Sequence, residues 1–225
     1  SMLLEKARKV IAIELDDRMV KILQDRFLVY NNFELINEDV LKVNLPELIE
    51  ANKQFKSVKV VANLPYYITT PIIMKLLENR LNIESITIMI QKEVAERIVA
   101  TPGSKLSGAI TYSVHYYAEP EEVTIVPNTS FIPSPEVDSE VIKLVIRKEP
   151  PVELKDEKLF FNIIKASFMQ RRKTLANGLV NGGILQNKTE AVKLLKNIRL
   201  EENVRGEELS LEQFAKLSNE IYLRK

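Results

Sequence analysis

Short apolar runs alternate with segments of helical periodicity over the first 90 residues, and this alternation most constrains the fold. Each run is bounded by polar or charged residues, as in strands that are buried on both faces of a parallel sheet. The runs are residues 9–14, 33–36, 58–62 and 86–90. Helices are predicted after Asp16-Asp17, from near Pro46, and over residues 70–80. Strands and helices at this interval predict βαβ units and a doubly wound α/β sheet.

The pattern changes along the rest of the chain. Residues 106–117 fit either a helix or a strand, and we favour the helix. Residues 123–126 and 141–147 predict a β-ribbon around a proline-rich loop. After Pro150-Pro151 the pattern becomes helical with short Gly and Asn breaks. We therefore predict an α/β domain over residues 1–149 and a small α-helical domain over residues 150–225.

Charge and composition exclude several classes of protein. The net charge is +1, so no global field favours a polyanionic partner, but residues 151–225 carry an excess of four basic side chains. The chain has no cysteine, which excludes disulfides, thiolate zinc sites and a cysteine nucleophile. No uncharged apolar run approaches the roughly 18 residues of a membrane span. We expect no membrane and no metal, since His115 is the only histidine.

The most informative segment is Asn63-Leu64-Pro65-Tyr66, which directly follows a predicted buried strand. An exocyclic amine is a poor nucleophile because its lone pair is delocalised into the ring. Hydrogen bonds from its hydrogens to the Asn63 side chain and the Leu64 carbonyl would favour a more tetrahedral nitrogen. Tyr66 could stack on the extruded base. An ordinary strand-to-helix turn with a buried Tyr is the alternative, but its position after this strand favours the base-binding interpretation.

Two carboxylates also follow predicted strands. Ligands of open α/β sheets bind outside the carboxyl ends of the strands, and Glu14 there could accept both ribose hydroxyls of an adenosine-containing cofactor. A helix-capping or solvated acid beside Asp16 is an equally good interpretation. Asp39 could accept from an adenine amino group, although taken alone it fits a turn aspartate better.

Two further segments could contact nucleic acid. Phe131 lies in a loop with two prolines and could form the second side of a base sandwich opposite Tyr66; the alternative is a core Phe that anchors the hairpin. Arg171-Arg172-Lys173 closes an amphipathic helix, where cations either bind phosphate or stabilise the helix C-terminus.

These segments together resemble the KsgA family of ribosomal RNA adenine dimethyltransferases. The resemblance spans nearly the whole chain. It rests on residues 10–14, 38–40, 63–66, 91–95, 131–139, 166–175 and 205–210. It implies a Rossmann-like class I methyltransferase sheet with a C-terminal helical rRNA-binding domain. We expect a cytoplasmic protein, because the residues after Ser1-Met2 lack the charged, apolar and small-residue blocks of a signal peptide.

The resemblance also implies substrates and residue roles. S-adenosylmethionine would donate methyl groups to N6 of two adjacent adenosines in the 3′-terminal hairpin of 16S rRNA, during small-subunit biogenesis. Glu14 would bind the cofactor ribose and Asp39 its adenine. The target base would meet Asn63 and Tyr66, with Phe131 stacking on it.

One departure concerns the N-terminus. The family has a first strand and a glycine-rich loop before the segment that opens this chain, whereas all six glycines here lie at or after Gly103. We interpret Ser1-Met2 as a cloning remnant and expect a truncated, inactive fragment that binds S-adenosylmethionine weakly. The strands that flank the missing one should pair with each other or be covered by another chain, for example in an oligomer.

Two other functions remain open. An Erm-type methyltransferase acting on 23S rRNA shares the central motifs, although residues 171–175 and 207–210 argue against it. Alternatively, the chain is only an rRNA- or ribosome-binding module, because its cofactor pocket is incomplete.

Overall fold

Residues 1–170 and 172–224 are described by a computed structural model, in which the chain divides into two units. The first unit comprises Ser1–Val58 and Ile68–Ile83. The second comprises Lys59–Tyr67 and the chain from Glu84 onward. The predicted Arg171 contact lies outside the described residues.

The first unit is built on two parallel strands. Strand β1 (Val10–Glu14) pairs with β2 (Phe33–Asn37) from Val10 opposite Phe33 to Glu14 opposite Asn37. The unit also contains four helices: α1 (Met2–Lys6), α2 (Asp17–Phe27), α3 (Leu45–Glu50) and α4 (Thr69–Glu78). The strands and helices predicted for this part of the chain are thereby confirmed.

The predicted helix start after β1 has the expected capping chemistry. The Asp16 side chain accepts a hydrogen bond from the Arg18 backbone N–H at 2.9 Å and is the N-cap of α2. Its hydrogen bonds with the Arg18 guanidinium lower the pKa of Asp16 to about 2. The chain therefore turns sharply from β1 into α2, and Glu14 lies at this turn.

The second unit contains a mixed four-stranded sheet. Its strands are β3 (Lys59–Asn63), β4 (Ser85–Gln91), β5 (Ala118–Val126) and β6 (Ser139–Ile146), in the order β3-β4-β6-β5. Strands β3 and β4 are parallel, whereas β6 is antiparallel to both of its neighbours. The predicted ribbon after residue 117 is confirmed, and the isoleucines of β4 are fully buried.

Six helices complete the second unit. They are α5 (Lys92–Val99), α6 (Ala109–Tyr117), α7 (Glu157–Phe168), α8 (Leu175–Asn181), α9 (Lys188–Asn197) and α10 (Leu211–Tyr222). The helix favoured for residues 106–117 is confirmed as α6. Its Tyr112 is fully buried among the C-terminal helices and donates a hydrogen bond to the Leu209 carbonyl at 2.6 Å. Burial raises the pKa of Tyr112 to about 12.

The structure can be compared with two expectations, the pairing of the strands beside the missing one and the domain boundary. Of the two alternatives for the strands beside the missing one, pairing of β1 with β3 is not observed, because the described strands form two separate sheets. Strand β1 pairs only with β2 and β3 only with β4, so cover by another chain stays a prediction. The domain boundary at residues 149 and 150 also stays a prediction, and the helical core includes Tyr112 and Tyr116 from before it.

His115 of α6 gives the second unit a pH-dependent stability. Its Nε2 is buried without a hydrogen-bond partner in the described structure. Desolvation, together with the charge of Arg147, lowers the pKa of His115 below 6.5. The neutral imidazole is therefore favoured in the folded state, so its contribution to stability is complete above pH 6.5 and lost as the pH falls below it.

We predict that the free energy of unfolding decreases between pH 7.5 and pH 5, and that His115→Gln makes this decrease shallower. Urea unfolding at several pH values would measure both slopes. Since this is the only histidine in the chain, its NMR signal can be followed without assignment ambiguity. Equal slopes in the two proteins, or an imidazole that titrates at or above pH 6.5, would contradict the prediction.

Candidate active site

Glu14 lies at the carboxyl end of β1, where it folds over the turn into α2. Its Oε1 accepts hydrogen bonds from the backbone N–H groups of Leu15 and Asp16, at 2.8 and 2.9 Å. This oxygen therefore makes local bonds in the turn before α2, whose N-cap is Asp16. Among the described residues Oε2 has no hydrogen-bond partner, so Glu14 retains acceptor capacity for a ligand hydroxyl.

Asp39 follows β2 in the same unit and also makes a local bond. Its Oδ1 accepts from the Leu41 N–H at 2.9 Å, which is the turn-aspartate geometry considered as the alternative. Lys75 of α4 donates to the carbonyls of Leu41 and Val43 at 2.6 and 2.7 Å. An ammonium with two carbonyl acceptors fixes the segment that positions the Asp39 carboxylate.

Lys75 was not identified from the sequence. A lysine on an amphipathic helix is normally a solvated residue, and nothing in its spacing indicates contacts with carbonyls more than 30 residues earlier in the chain. Only the fold reveals that it supports the loop after β2.

Asn63 ends β3 at the carboxyl edge of the four-stranded sheet. It lies opposite Met89 of β4, and the next residue extends the ladder by one bond, from the Leu64 N–H to the Met89 carbonyl at 3.2 Å. Leu64 is buried whereas Asn63 and Pro65 are exposed. The buried Leu64 anchors the turn, and the Asn63 amide is left accessible at the edge of the sheet.

Tyr66 joins this segment to the start of β6. Its hydroxyl lies 2.9 Å from Ser139 Oγ, and Ser139 is only 1% exposed. Ser139 lies opposite Gln91, the last residue of β4. The structure thus brings together two segments that the sequence singled out separately, Asn63–Tyr66 and 131–139. Ser139 belongs to the second of these segments, and the sequence alone indicated no role for it.

The loop that carries Phe131 is fixed by its own side chains. Asn128 donates to the Pro135 carbonyl at 3.2 Å, and Ser134 Oγ donates to the Asn128 carbonyl at 2.9 Å. Phe131 is partly exposed. The predicted base sandwich stays a prediction.

A buried carboxyl adds to the electrostatics of this edge. Glu140 follows Ser139 in β6 and is almost completely buried. Burial, with repulsion from Glu122 and Glu96, raises the pKa of Glu140, while Lys92 opposes the shift. Mild acidification therefore reduces the negative charge at this edge of the sheet earlier than for exposed glutamates.

The other predicted contacts lie in the helical part of the second unit. Arg172 and Lys173 are exposed just beyond α7. In residues 1–170 and 172–224, no group of three or more His, Asp or Glu side chains could hold a metal ion. None of the described helices has the length and apolarity that a membrane span needs.

Comparison with known proteins identifies the family. Residues 1–222 match the family described as ribosomal RNA adenine dimethylase. The chain belongs to this family. It is 48% identical over 222 residues to ribosomal RNA small subunit methyltransferase A of Shouchella clausii, covering 98% of this chain and 75% of the relative. The protein of that name from a Geobacillus species is 47% identical, with 97% and 76% covered.

Solved structures agree with the fold of this family. A dimethyladenosine transferase from Plasmodium falciparum has a TM-score of 0.79 and 28% identity, covering 96% of this chain and 82% of its own. The 23S rRNA methyltransferase ErmE has a TM-score of 0.69 and 24% identity, with 98% and 84% covered, which supports the fold alone. The resemblance to the KsgA family, the α/β methyltransferase fold and the enzyme class are therefore confirmed.

Proposed function

We propose that this protein transfers methyl groups from S-adenosylmethionine to N6 of two adjacent adenosines in the 3′-terminal hairpin of 16S rRNA. The observation that carries the proposal is the arrangement at the carboxyl edge of β3, where an accessible Asn63 amide lies three residues before the anchored Tyr66. The relatives' shared name, ribosomal RNA small subunit methyltransferase A, supports the substrate. The reaction would take place in the cytoplasm during assembly of the small subunit.

Asn63, Leu64 and Tyr66 would prepare the adenine amine for reaction. The Asn63 side-chain oxygen and the Leu64 carbonyl accept the two N6 hydrogens, so the nitrogen lone pair turns out of the ring plane. Pro65 stiffens the turn between these groups. Tyr66, with Phe131 as a second aromatic residue, stacks on the extruded base. S-adenosylmethionine supplies a methyl carbon that is already strongly electrophilic, so the protein contributes mainly alignment, worth roughly 7 to 11 kcal/mol.

The carboxylates of the first unit suit the adenosine part of the cofactor. Glu14 Oε2 would accept from the ribose hydroxyls, and the second oxygen of Asp39 would accept from the adenine amine. Each residue already uses one oxygen to fix its own turn, which orients the other oxygen before a ligand binds.

The RNA backbone would contact the basic segment after α7. Arg172 and Lys173 are exposed there, and Arg171 belongs to the same segment of the sequence. Such contacts would position the hairpin without reading its bases.

The positions of the glycines bear on cofactor binding by these 225 residues. No glycine precedes Gly103, so these 225 residues contain no glycine-rich loop before β1. We propose that binding of S-adenosylmethionine to the chain on its own is impaired for this reason.

We predict that Asn63→Ala lowers methyl transfer about 100-fold or more, because one of the two acceptors for the amine is lost. Transfer of labelled methyl groups to immature small subunits, at millimolar S-adenosylmethionine in single-turnover conditions, would measure this. Affinity for the subunit should change less than about twofold, since phosphate contacts dominate it.

Asn79→Ala is the matched control, because Asn79 is an exposed asparagine at the C-cap of α4. It should retain normal transfer. An Asn63→Ala protein with near-normal turnover would overturn the proposed role of the segment. Methylation of free 23S rRNA in preference to small subunits would favour the Erm-type activity instead.

We also predict that S-adenosylmethionine binds the chain with a dissociation constant above about 1 mM. The Glu14 and Asp39 carboxylates can hold the adenosine part, but no glycine-rich loop is available for the methionine end. Isothermal titration calorimetry would measure this, with adenosine as the comparison ligand. Tight, stoichiometric binding of S-adenosylmethionine would exclude the idea that its site is incomplete.

A further inference from the structure

The hydrogen bond between Tyr66 and Ser139 joins an exposed aromatic residue to a buried hydroxyl. Ser139 is 1% exposed, whereas Tyr66 is 38% exposed and its neighbour Tyr67 83%. The two oxygens are 2.9 Å apart and belong to residues 73 positions apart in the sequence. Tyr66 is thus held at its hydroxyl end while more than a third of the residue stays accessible.

Ser139 is a rigid anchor because bonds fix the backbone on both sides of it. It pairs with Gln91 in β4 and with Val126 in β5. Immediately before it, the Asp138 carbonyl accepts from the Lys92 N–H at 3.0 Å, and the Asp138 carboxylate accepts from the Asn128 N–H at 2.9 Å. A side chain bonded to Ser139 Oγ is therefore tied to a strand that is paired on both sides.

Tyr66 itself lies beyond the last ladder bond of its own strand. That bond joins the Leu64 N–H to Met89, and Tyr66 follows in a short 3-10 turn, Tyr66–Ile68. The orientation of its ring is not set by sheet pairing. A tyrosine has only two side-chain torsions, and a bond at the hydroxyl restricts the first of them because it fixes the position of the phenol oxygen.

The geometry points to Ser139 as a positioning residue for Tyr66. By holding the phenol oxygen, it fixes the direction in which the ring projects from the turn, and so the place where the ring can stack on the target adenine. This inference rests on the proposed function, because it assumes that Tyr66 meets a base. It assigns to the 131–139 segment a second role, separate from any stacking by Phe131.

A hydrogen bond that only stabilises the fold would give the same contact. The test must therefore separate a structural role of Ser139 from a role in positioning Tyr66. We would measure the affinity of the chain for two versions of the 3′-terminal hairpin, one with adenines at the target positions and one with abasic sites there. The ratio of the two dissociation constants reports the base-dependent part of binding. General damage to RNA binding changes both constants and leaves this ratio unaltered.

For the wild-type protein we expect the abasic hairpin to bind about 5- to 150-fold more weakly, as base–aromatic stacking predicts. Tyr66→Ala should cause the largest fall in this ratio, because the whole ring is lost. Ser139→Ala should reduce the ratio about two- to tenfold, the range expected for one lost hydrogen bond. Ser139→Thr, which keeps a hydroxyl, should restore it.

Tyr66→Phe removes the same bond from the other side and leaves Ser139 in place. It should reduce the ratio as much as Ser139→Ala, and the double variant should show no further loss. Ser113→Ala is the matched control, since Ser113 is a buried serine whose Oγ donates within α6 to the Ala109 carbonyl at 3.2 Å. Its ratio should equal that of the wild type.

The outcomes separate the two proposals. A wild-type ratio near one would overturn the proposed binding of the target adenine, and the role of Ser139 with it. A large wild-type ratio that Tyr66→Ala lowers strongly, but that Ser139→Ala and Tyr66→Phe leave unchanged, would overturn the role of Ser139 alone.

Discussion

Antiparallel pairing between β4 and β6 is the constraint on which the candidate site depends. Because β3 and β4 are parallel, both end at the same edge of the sheet. Strand β6 runs in the opposite direction, so it begins where β4 ends, with Ser139 opposite Gln91. This register places Ser139, the first residue of β6, within hydrogen-bond distance of Tyr66, which follows β3. A shift of one residue would turn the Ser139 side chain to the other face.

At the same edge, accessible functional groups lie next to a rigid, buried part of the sheet. The isoleucines of β4 are fully buried, as are Ile142 and Leu144 of β6, so the sheet beneath the edge is closely packed. Asn63 and Tyr66 are exposed at this edge. Catalysis that relies on alignment needs this combination, because a displaced amine or ring forfeits most of the gain. In the other unit Glu14 and Asp39 follow a similar principle, since each uses one oxygen to fix the turn that carries it.

Much of this fold could be predicted from local sequence signals. Apolar runs gave the strands, and capping chemistry such as Asp16 gave the start of α2. The ambiguous segment that became α6 was decided by packing, because Tyr112 and Tyr116 enter the core of the C-terminal helices. The division of the strands into two sheets had no local signal. Whether two strands pair depends on contacts between distant segments, and that information is absent from the periodicity of either strand.

The candidate site was predictable to a similar extent. Asn63, Tyr66, Glu14 and Asp39 follow strands and belong to recognisable motifs, so sequence reasoning could find them. Lys75 and Ser139 could not be found in this way. Their importance arises from bonds to groups that lie far away in the sequence, and a lysine on a helix or a serine before a strand is common in any protein.

Photo-crosslinking tests most directly whether the edge formed by Asn63, Tyr66 and Ser139 holds the target adenine. The 3′-terminal hairpin would carry 8-azidoadenine at a target position, and mass spectrometry of the tryptic digest would locate the crosslink. Our account predicts attachment to the peptide of residues 60–75, which contains Asn63 and Tyr66. Crosslinks confined to the helices after residue 150, with none in that peptide, would contradict it.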